Sequence, residues 1–306
     1  MQDFLLLLSK ITPLYAIILF GFIAGKFLKV DRESVAKIVI YFVAPVVVFN
    51  SFATMPPGNR YLLLPVIFFT VASILALIYY FIGSVFPARS ERNLLAASVG
   101  SANTGYFGIP LVIAIFGSQY LNVAVIATLG LIIYENTIAY FLISKSNHNF
   151  KHSLVKMATL PSIYTCVLGV IINKTKLIIP VSIVDTISYF RGAYVVLGMM
   201  VIGIALSAVT KASIDYKFGI LAFSAKFIAY PVLFATIIYL DNQYFQIFAI
   251  REHNVMLVLS AVPMAANVVA FASSLKVHPE KIAAVVFAST VFAIVYLPIF
   301  VAIFIK

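Results

Sequence analysis

SVGSANTGYFGIPLVIAIFG (98–117) lies within an apolar run, yet it carries Gly100, Gly105, Gly108, Asn103 and Pro110 where an ordinary membrane helix would use Leu or Ala. Glycine relaxes the backbone, and proline removes a donor and clashes with the carbonyl four residues back. The stretch predicts two half-helices meeting at an unwound segment. Such backbone is tolerated at membrane depth only inside protein or beside a water-filled cavity. The second half-helix, starting near Gly108–Pro110, would present free N–H groups and a partial positive charge, for which an anion is the natural guest. LVLSAVPMAANVVAFASSL (257–275) repeats the pattern with Pro263 and Asn267. Asn103, Thr104 and Asn267 supply amide and hydroxyl groups that recognise a carboxylate without being charged themselves. Simple proline kinks are the competing reading, and two such segments at matching positions weigh against it.

Outward from these segments, the chain has one character throughout. Of 306 residues, 63% are hydrophobic and 10% charged, and the mean hydropathy is +1.09. A soluble domain carries about 25% charged residues, so this composition excludes one and predicts an all-α integral membrane protein. Apolar runs at 4–28, 34–54, 61–86, 93–116, 120–143, 157–173, 181–208, 217–240, 252–274 and 281–304 are each read as a transmembrane helix. The first is too long for a signal peptide, lacks a cleavage-like site and ends in Lys26 and Lys29 rather than starting with positive charge. Cys166 is the sole cysteine, so no internal disulfide is expected. The net charge of +11 is read as basic cytoplasmic loops rather than as a nucleic-acid surface.

Orientation follows from those basic residues. With the N-terminus outside, Lys26, Lys29, Arg32, Lys37, Arg89, Arg92, Lys145, Lys151, Lys156, Lys211, Lys217, Lys276 and Lys281 fall in or beside cytoplasmic loops; Lys10, Arg60, Lys174, Lys176, Arg251 and Lys306 fall outside. Both termini are thus expected outside a cell membrane, with the loop 144–156 in the cytoplasm. That loop separates a first five-helix repeat (1–143) from a second (157–306). An odd number of spans per half forces opposite topologies, so the ten helices are expected as two inverted repeats, with the broken fourth helix of each crossing at the midplane. His148 and His152 have metal-like spacing but sit in this polar loop without a third ligand, and no metal site is predicted.

Asn-Thr-x-x-x-Gly-Ile-Pro-Leu, from Asn103 to Leu111, resembles the signature of the auxin efflux carrier family, the plant PIN proteins and their microbial relatives. AVPMAANVVAFASSLKVHPEKIAAVVFASTVFAIVYLPIF (261–300) is similar to that family's last two helices, and YFVAPVVVFNSF (41–52) to its second. The resemblance spans essentially the whole chain. It implies an elevator-type carrier of small organic anions, auxin-like or dicarboxylate, with an inverted-repeat fold like that of the bile-acid symporters. The scaffold would be about 4–54 and 157–208, and the transport unit about 61–143 and 217–304. Carried over by position, Asn103 and Pro110 match the first crossover, and Pro263 and Asn267 the second. Ala102 stands where plant members have proline, and the 144–156 loop is short, which argues against auxin itself and against control by loop phosphorylation.

The substrate site is therefore expected among Asn103, Thr104, Gly105, Gly108, Ile109, Pro110, Pro263, Ala266 and Asn267, with Asn50 and Ser51 lining it from the scaffold. Ionisable groups inside the membrane need a reason. Glu135, followed by Asn136, lies about 12 Å deep at 1.5 Å per residue, a candidate proton carrier or cation ligand. The structural alternative pairs it with Lys226 or with the Asn136 side chain. Lys226 is read as balancing Glu135, supporting an anion site or snorkelling. Gly21 and Gly25 form a small-xxx-small pair suited to helix packing. No nucleophile–base constellation, phosphate loop or Cys/His cluster is legible, so no enzyme and no cofactor is predicted, with coupling to Na+ or H+ left open. The expected partners are a small organic anion and the lipid bilayer, with a homodimer among the assemblies the resemblance implies. The rival functions are a sodium- or proton-coupled carrier and a ligand-binding sensor or channel.

Overall fold

The computed structural model of the chain describes residues 2–56, 59–144, 159–177, 179–207 and 215–305, and every regular element among them is helical. Long apolar segments leave the backbone no partner but itself, which selects helices. Eight helical segments are long and apolar enough to cross a membrane. They lie within α1 (Gln2–Lys26), α2 (Arg32–Ala53), α3 (Arg60–Val85), the pair α4 (Arg89–Gly100) and α5 (Ile109–Phe116), α6 (Ser118–Ser144), α8 (Val181–Ser207), α9 (Tyr216–Phe245) and α12 (Pro279–Phe304). The two other predicted spans are shorter. The run 157–173 is represented by α7 (Pro161–Thr175), whose 15 residues start at a proline in the first turn. The run 252–274 is split into α10 (Ile250–Ala261) and α11 (Asn267–Ser274). All but Ser144 of the central loop 144–156, with His148 and His152, lies outside the described residues.

Two helix pairs cross between the halves of the chain: α1 lies along α8, and α7 lies along α2. Small residues make the first contact possible. A Cβ on Gly203 would collide with the Ile18 carbonyl and come 2.6 Å from the Phe22 amide, and one on Gly21 would collide with Met200. Backbone approach this close maximises dispersion where lipid offers no hydrophobic drive between helices. The small-residue reading of Gly21 and Gly25 is thus realised against α8, where Gly25 faces Ile204 and Ser207.

Prolines leave a repeated local mark. Pro45, Pro110 and Pro231 each stand two residues after a π turn, at Val39–Val43, Thr104–Gly108 and Ala225–Ala229. The widened turn absorbs the missing donor and the ring's clash with the preceding turn. Freed carbonyls find tyrosines. The Phe227 carbonyl, four residues before Pro231, accepts from the Tyr296 hydroxyl at 3.1 Å, and the Ile294 carbonyl, four before Pro298, accepts from Tyr15 at 3.1 Å.

Burial is uneven. α4 and α6 are enclosed on most sides, whereas α1, α3 and α9 expose Leu19, Phe20, Phe81, Ile220 and Val232 on faces suited to acyl chains. At the end of the bundle where α4, α9 and α12 begin, Lys281 bridges Glu91 and Asp215. Asp215 also caps α9 through the Phe218 amide at 3.0 Å. The Lys281 ammonium holds the Asp215 carboxyl below the usual carboxylate range.

Candidate functional site

Both interrupted segments open, and they meet. The first is unwound at Ser101–Asn103 and the second at Val262–Ala266. The Asn103 amide donates to the Pro263 carbonyl at 2.8 Å, tying one break to the other. The Met264 amide, freed in the second break, donates to the Ser289 hydroxyl of α12 at 3.2 Å. Backbone that would otherwise be orphaned in the interior is thereby satisfied.

The second half-helix of the first segment starts earlier than the sequence suggests. It begins at Thr104, not near Gly108–Pro110, because the π turn Thr104–Gly108 runs without interruption into α5. The Phe107 and Gly108 amides both bond to the Asn103 carbonyl, so Gly108 has no free donor to present. Pro110 is accommodated within the helix, and the orphan donors lie one turn earlier. The Thr104 amide is taken up by the Ala102 carbonyl at 2.7 Å, which leaves the first-turn amides of Gly105 and Tyr106 without a carbonyl of their own helix to bond.

A cavity of about 270 Å³ lies against this crossing. Asn103, Thr104, Gly105, Ala266, Asn267, Glu135 and Asn136 line it. Gly108, Ile109, Pro110 and Pro263 do not; they are part of the packed crossing itself. A Cβ on Gly108 would lie 2.6 Å from Leu259 Cδ2 of α10, so this glycine sets how closely the two segments approach. Asn50 and Ser51 are fully buried away from the cavity. Ser51 donates to the Val47 carbonyl, and the Asn50 amide has no partner among the described residues.

Glu135 and Lys226, the charges flagged within the spans, both sit on π turns, Glu135–Ala139 and Ala225–Ala229. Such a turn rotates the following helix and re-aims side chains, and it recurs at functional positions. Glu135 is 3% exposed and accepts from Asn267 Nδ2 at 2.9 Å, which links α6 to the start of α11. Neither proposed partner makes a hydrogen bond to it. Asn136 Nδ2 donates to the Ile132 carbonyl instead, and Lys226 Nζ, which acts on Glu135 only through space, lies 3.8 Å from the Tyr230 ring centroid. Lys226 is fully buried and does not line the cavity, so snorkelling is also excluded.

Several lining residues escape a reading of the sequence: Tyr41, Tyr106, Tyr194, Thr128 and Ser162. Tyr106 lies inside the Asn103–Leu111 motif and was open to inference. Tyr194 was not, because one tyrosine in an apolar helix looks the same whether it faces lipid, core or cavity. Val39, Ile40, Ala44, Leu131, Ile132 and Phe271 complete an apolar wall. Among the described residues no Lys, Arg or His lines the cavity, and Glu135 is its single carboxylate. Among the described residues no cluster of His, Cys, Asp and Glu is suited to a metal ion.

Comparison with known proteins fits this geometry. The chain is 27% identical over 296 residues to a protein of Methanocaldococcus jannaschii named as an uncharacterized transporter, covering 91% of this chain and 94% of that one. Residues 6–301 match the family described as membrane transport protein. That match runs through both broken helices, the cavity and the helices around them, so this multi-pass membrane protein is a transporter rather than an enzyme and belongs to the membrane transport protein family, the auxin efflux carriers.

Proposed function

We propose that the protein is a secondary carrier of small organic anions, carboxylates in the first place, working by an elevator-type alternation of access. The observation that carries this reading is the joined pair of breaks: Asn103 N–H to Pro263 O, beside a cavity whose polar lining is mostly uncharged amide and hydroxyl. First-turn amides at Gly105 and Tyr106 offer the partial positive charge a carboxylate needs. The reciprocal packing of α1 on α8 and α7 on α2 supports ten spans in two inverted five-helix repeats, 1–143 and 157–306, with α7 and the α10–α11 pair as the short and broken members. In this scheme 4–54 and 157–208 form the fixed scaffold. The unit 61–143 with 217–304 moves as one body, held together at one end by Lys281, Glu91 and Asp215. The termini lie outside the plasma membrane and the central loop inside. The cavity is then open towards the cytoplasm, since the scaffold lines it with Val39, Ile40, Tyr41 and Ala44 from the cytoplasmic half of α2 and with Leu160 and Ser162 at the start of α7.

Transport needs no cofactor in this reading. A coupled variant, driven by Na+ or H+, is favoured by one observation, the single carboxylate of Glu135 on the cavity wall. Counterflow in proteoliposomes tests the proposal. Internal unlabelled carboxylate should accelerate saturable uptake of the labelled compound, and Asn103→Ala should raise the half-saturating concentration about tenfold while the protein stays folded. Linear, non-saturable flux would indicate a channel, and binding without counterflow a sensor. A gradient of sodium or protons that drives uptake in the wild type but not in Glu135→Gln would select the coupled variant.

A further inference from the structure

We infer that the cavity is built for a zwitterion: an amino acid whose carboxylate meets the first-turn amides of Gly105 and Tyr106 and whose ammonium meets Glu135. This inference rests on the carboxylate-carrier reading and narrows its substrate class.

The argument is one of unmatched hydrogen-bonding groups. A carboxylate on the wall of a carboxylate site repels the ligand unless a cation joins it there, either a coupling ion or an ammonium that the ligand itself carries. Glu135 is nevertheless there, 3% exposed, with one protein hydrogen bond, from Asn267 Nδ2 to Oε2. Among the described residues no basic side chain lines the cavity. Lys226, a buried cation close enough to act on Glu135 through space, makes no hydrogen bond to it and lies over the Tyr230 ring. The Glu135 oxygen not engaged by Asn267 is thus available to a donor arriving with the ligand.

The opposite pole lies on the other break. Thr104–Phe116 forms one continuous helical run through the π turn and α5, so its aligned dipoles end at Gly105 and Tyr106. A donor-rich pole and an acceptor pole border one cavity of about 270 Å³. An amino acid is neutral overall and carries both complements, so it can enter without leaving an unpaired charge inside the membrane. Val39, Ile40, Leu131, Ile132 and Phe271 provide an apolar wall for its side chain. The favoured ligands are therefore amino acids with aliphatic or aromatic side chains.

Thermal shift of the purified full-length chain with matched probes tests this, since a ligand that binds the folded state raises apparent stability with its concentration and affinity. Leucine is compared with 4-methylvalerate, which lacks the ammonium, and with isoamylamine, which lacks the carboxylate. Phenylalanine is compared with 3-phenylpropionate and phenethylamine in the same way. Titrations are run in N-methylglucamine buffer and again with sodium. At least one amino acid should bind about tenfold more tightly than both of its truncated partners, and Glu135→Gln should shrink that advantage over the des-amino acid to about twofold. If the des-amino acid binds the wild type as well as the amino acid, the zwitterion inference fails and the carboxylate carrier stands. If only the amines bind, both fail. Sodium alone stabilising the wild type but not Glu135→Gln would assign the carboxylate to a small cation and overturn the inference. So would silence from all six probes, in which case carboxylate counterflow judges the broader reading separately. The wild-type comparison decides even if Glu135→Gln does not fold.

Discussion

The two broken segments are joined to each other but differ in how their backbone is engaged. The first opens over three residues, Ser101–Asn103, and re-enters through a π turn whose leading residues line the cavity. The second opens over five, Val262–Ala266, with Pro263 early in the gap, and three groups in or beside it are engaged. Its Pro263 carbonyl takes the Asn103 amide, its Met264 amide takes Ser289, and its Asn267 side chain holds Glu135. The second break thus serves as a bracket that positions a carboxylate, while the first leaves its leading amides without a hydrogen-bond partner from their own helix. The side chains that surround each break decide which of its groups are engaged.

That contrast can be tested by damaging each side in turn. Gly108→Leu should have the largest effect. Its side chain would enter space held by Leu259, forcing the segments apart at a cost of about 1–3 kcal/mol as for other overpacked interiors. Loss of saturable transport and a lower melting temperature would be read in one preparation; unchanged melting would show that the crossing is looser than described. Ser289→Ala strikes only the bracket. It strands the buried Met264 amide at a cost of about 1–2 kcal/mol, and Glu135-dependent selectivity should weaken with it.

Tyr296→Phe serves as a control away from both breaks. Losing the bond to the Phe227 carbonyl should cost about 1 kcal/mol, with ligand preference unaltered. A change in preference would show that the π turn bearing Lys226 communicates with the cavity. The smallest effect belongs to the end cluster. The Asp215 carboxyl is held below its ordinary range by Lys281, so its contribution is present above the unfolded carboxylate range and is lost as pH falls through the lower folded value. Asp215→Asn should lower the melting temperature by a degree or two at neutral pH and leave little difference from wild type in strong acid, with ligand affinity unchanged throughout.

Much of the fold was legible because the bilayer imposes a simple rule. Apolar runs long enough to cross must be helical, and glycine, proline and asparagine inside them mark where the helix fails. Asn103, Pro263 and Asn267 were found in this way, as were Gly21 and Gly25. Pro110 was misleading: as a helix breaker it suggested a start at Gly108, whereas a π turn absorbed it and moved the start to Thr104. Hydropathy carries no signal for a five-residue widening of a helix. Nor could it separate Tyr194 at the cavity from tyrosines elsewhere, or place Asn50 and Ser51 away from the cavity.

By itself the sequence determined the all-helical membrane class, eight of the spans and the places where two segments break, since these follow from local composition and from the cost of unpaired backbone in hydrocarbon. Only the tertiary structure decided that Asn103 and Pro263 share a hydrogen bond, that the Met264 amide is met by Ser289, and that Glu135 takes its hydrogen bond from Asn267. The first and last of these depend on contacts between residues more than a hundred positions apart. A side chain in a helix can point to lipid, core or cavity with the same local energy, and packing alone selects among them.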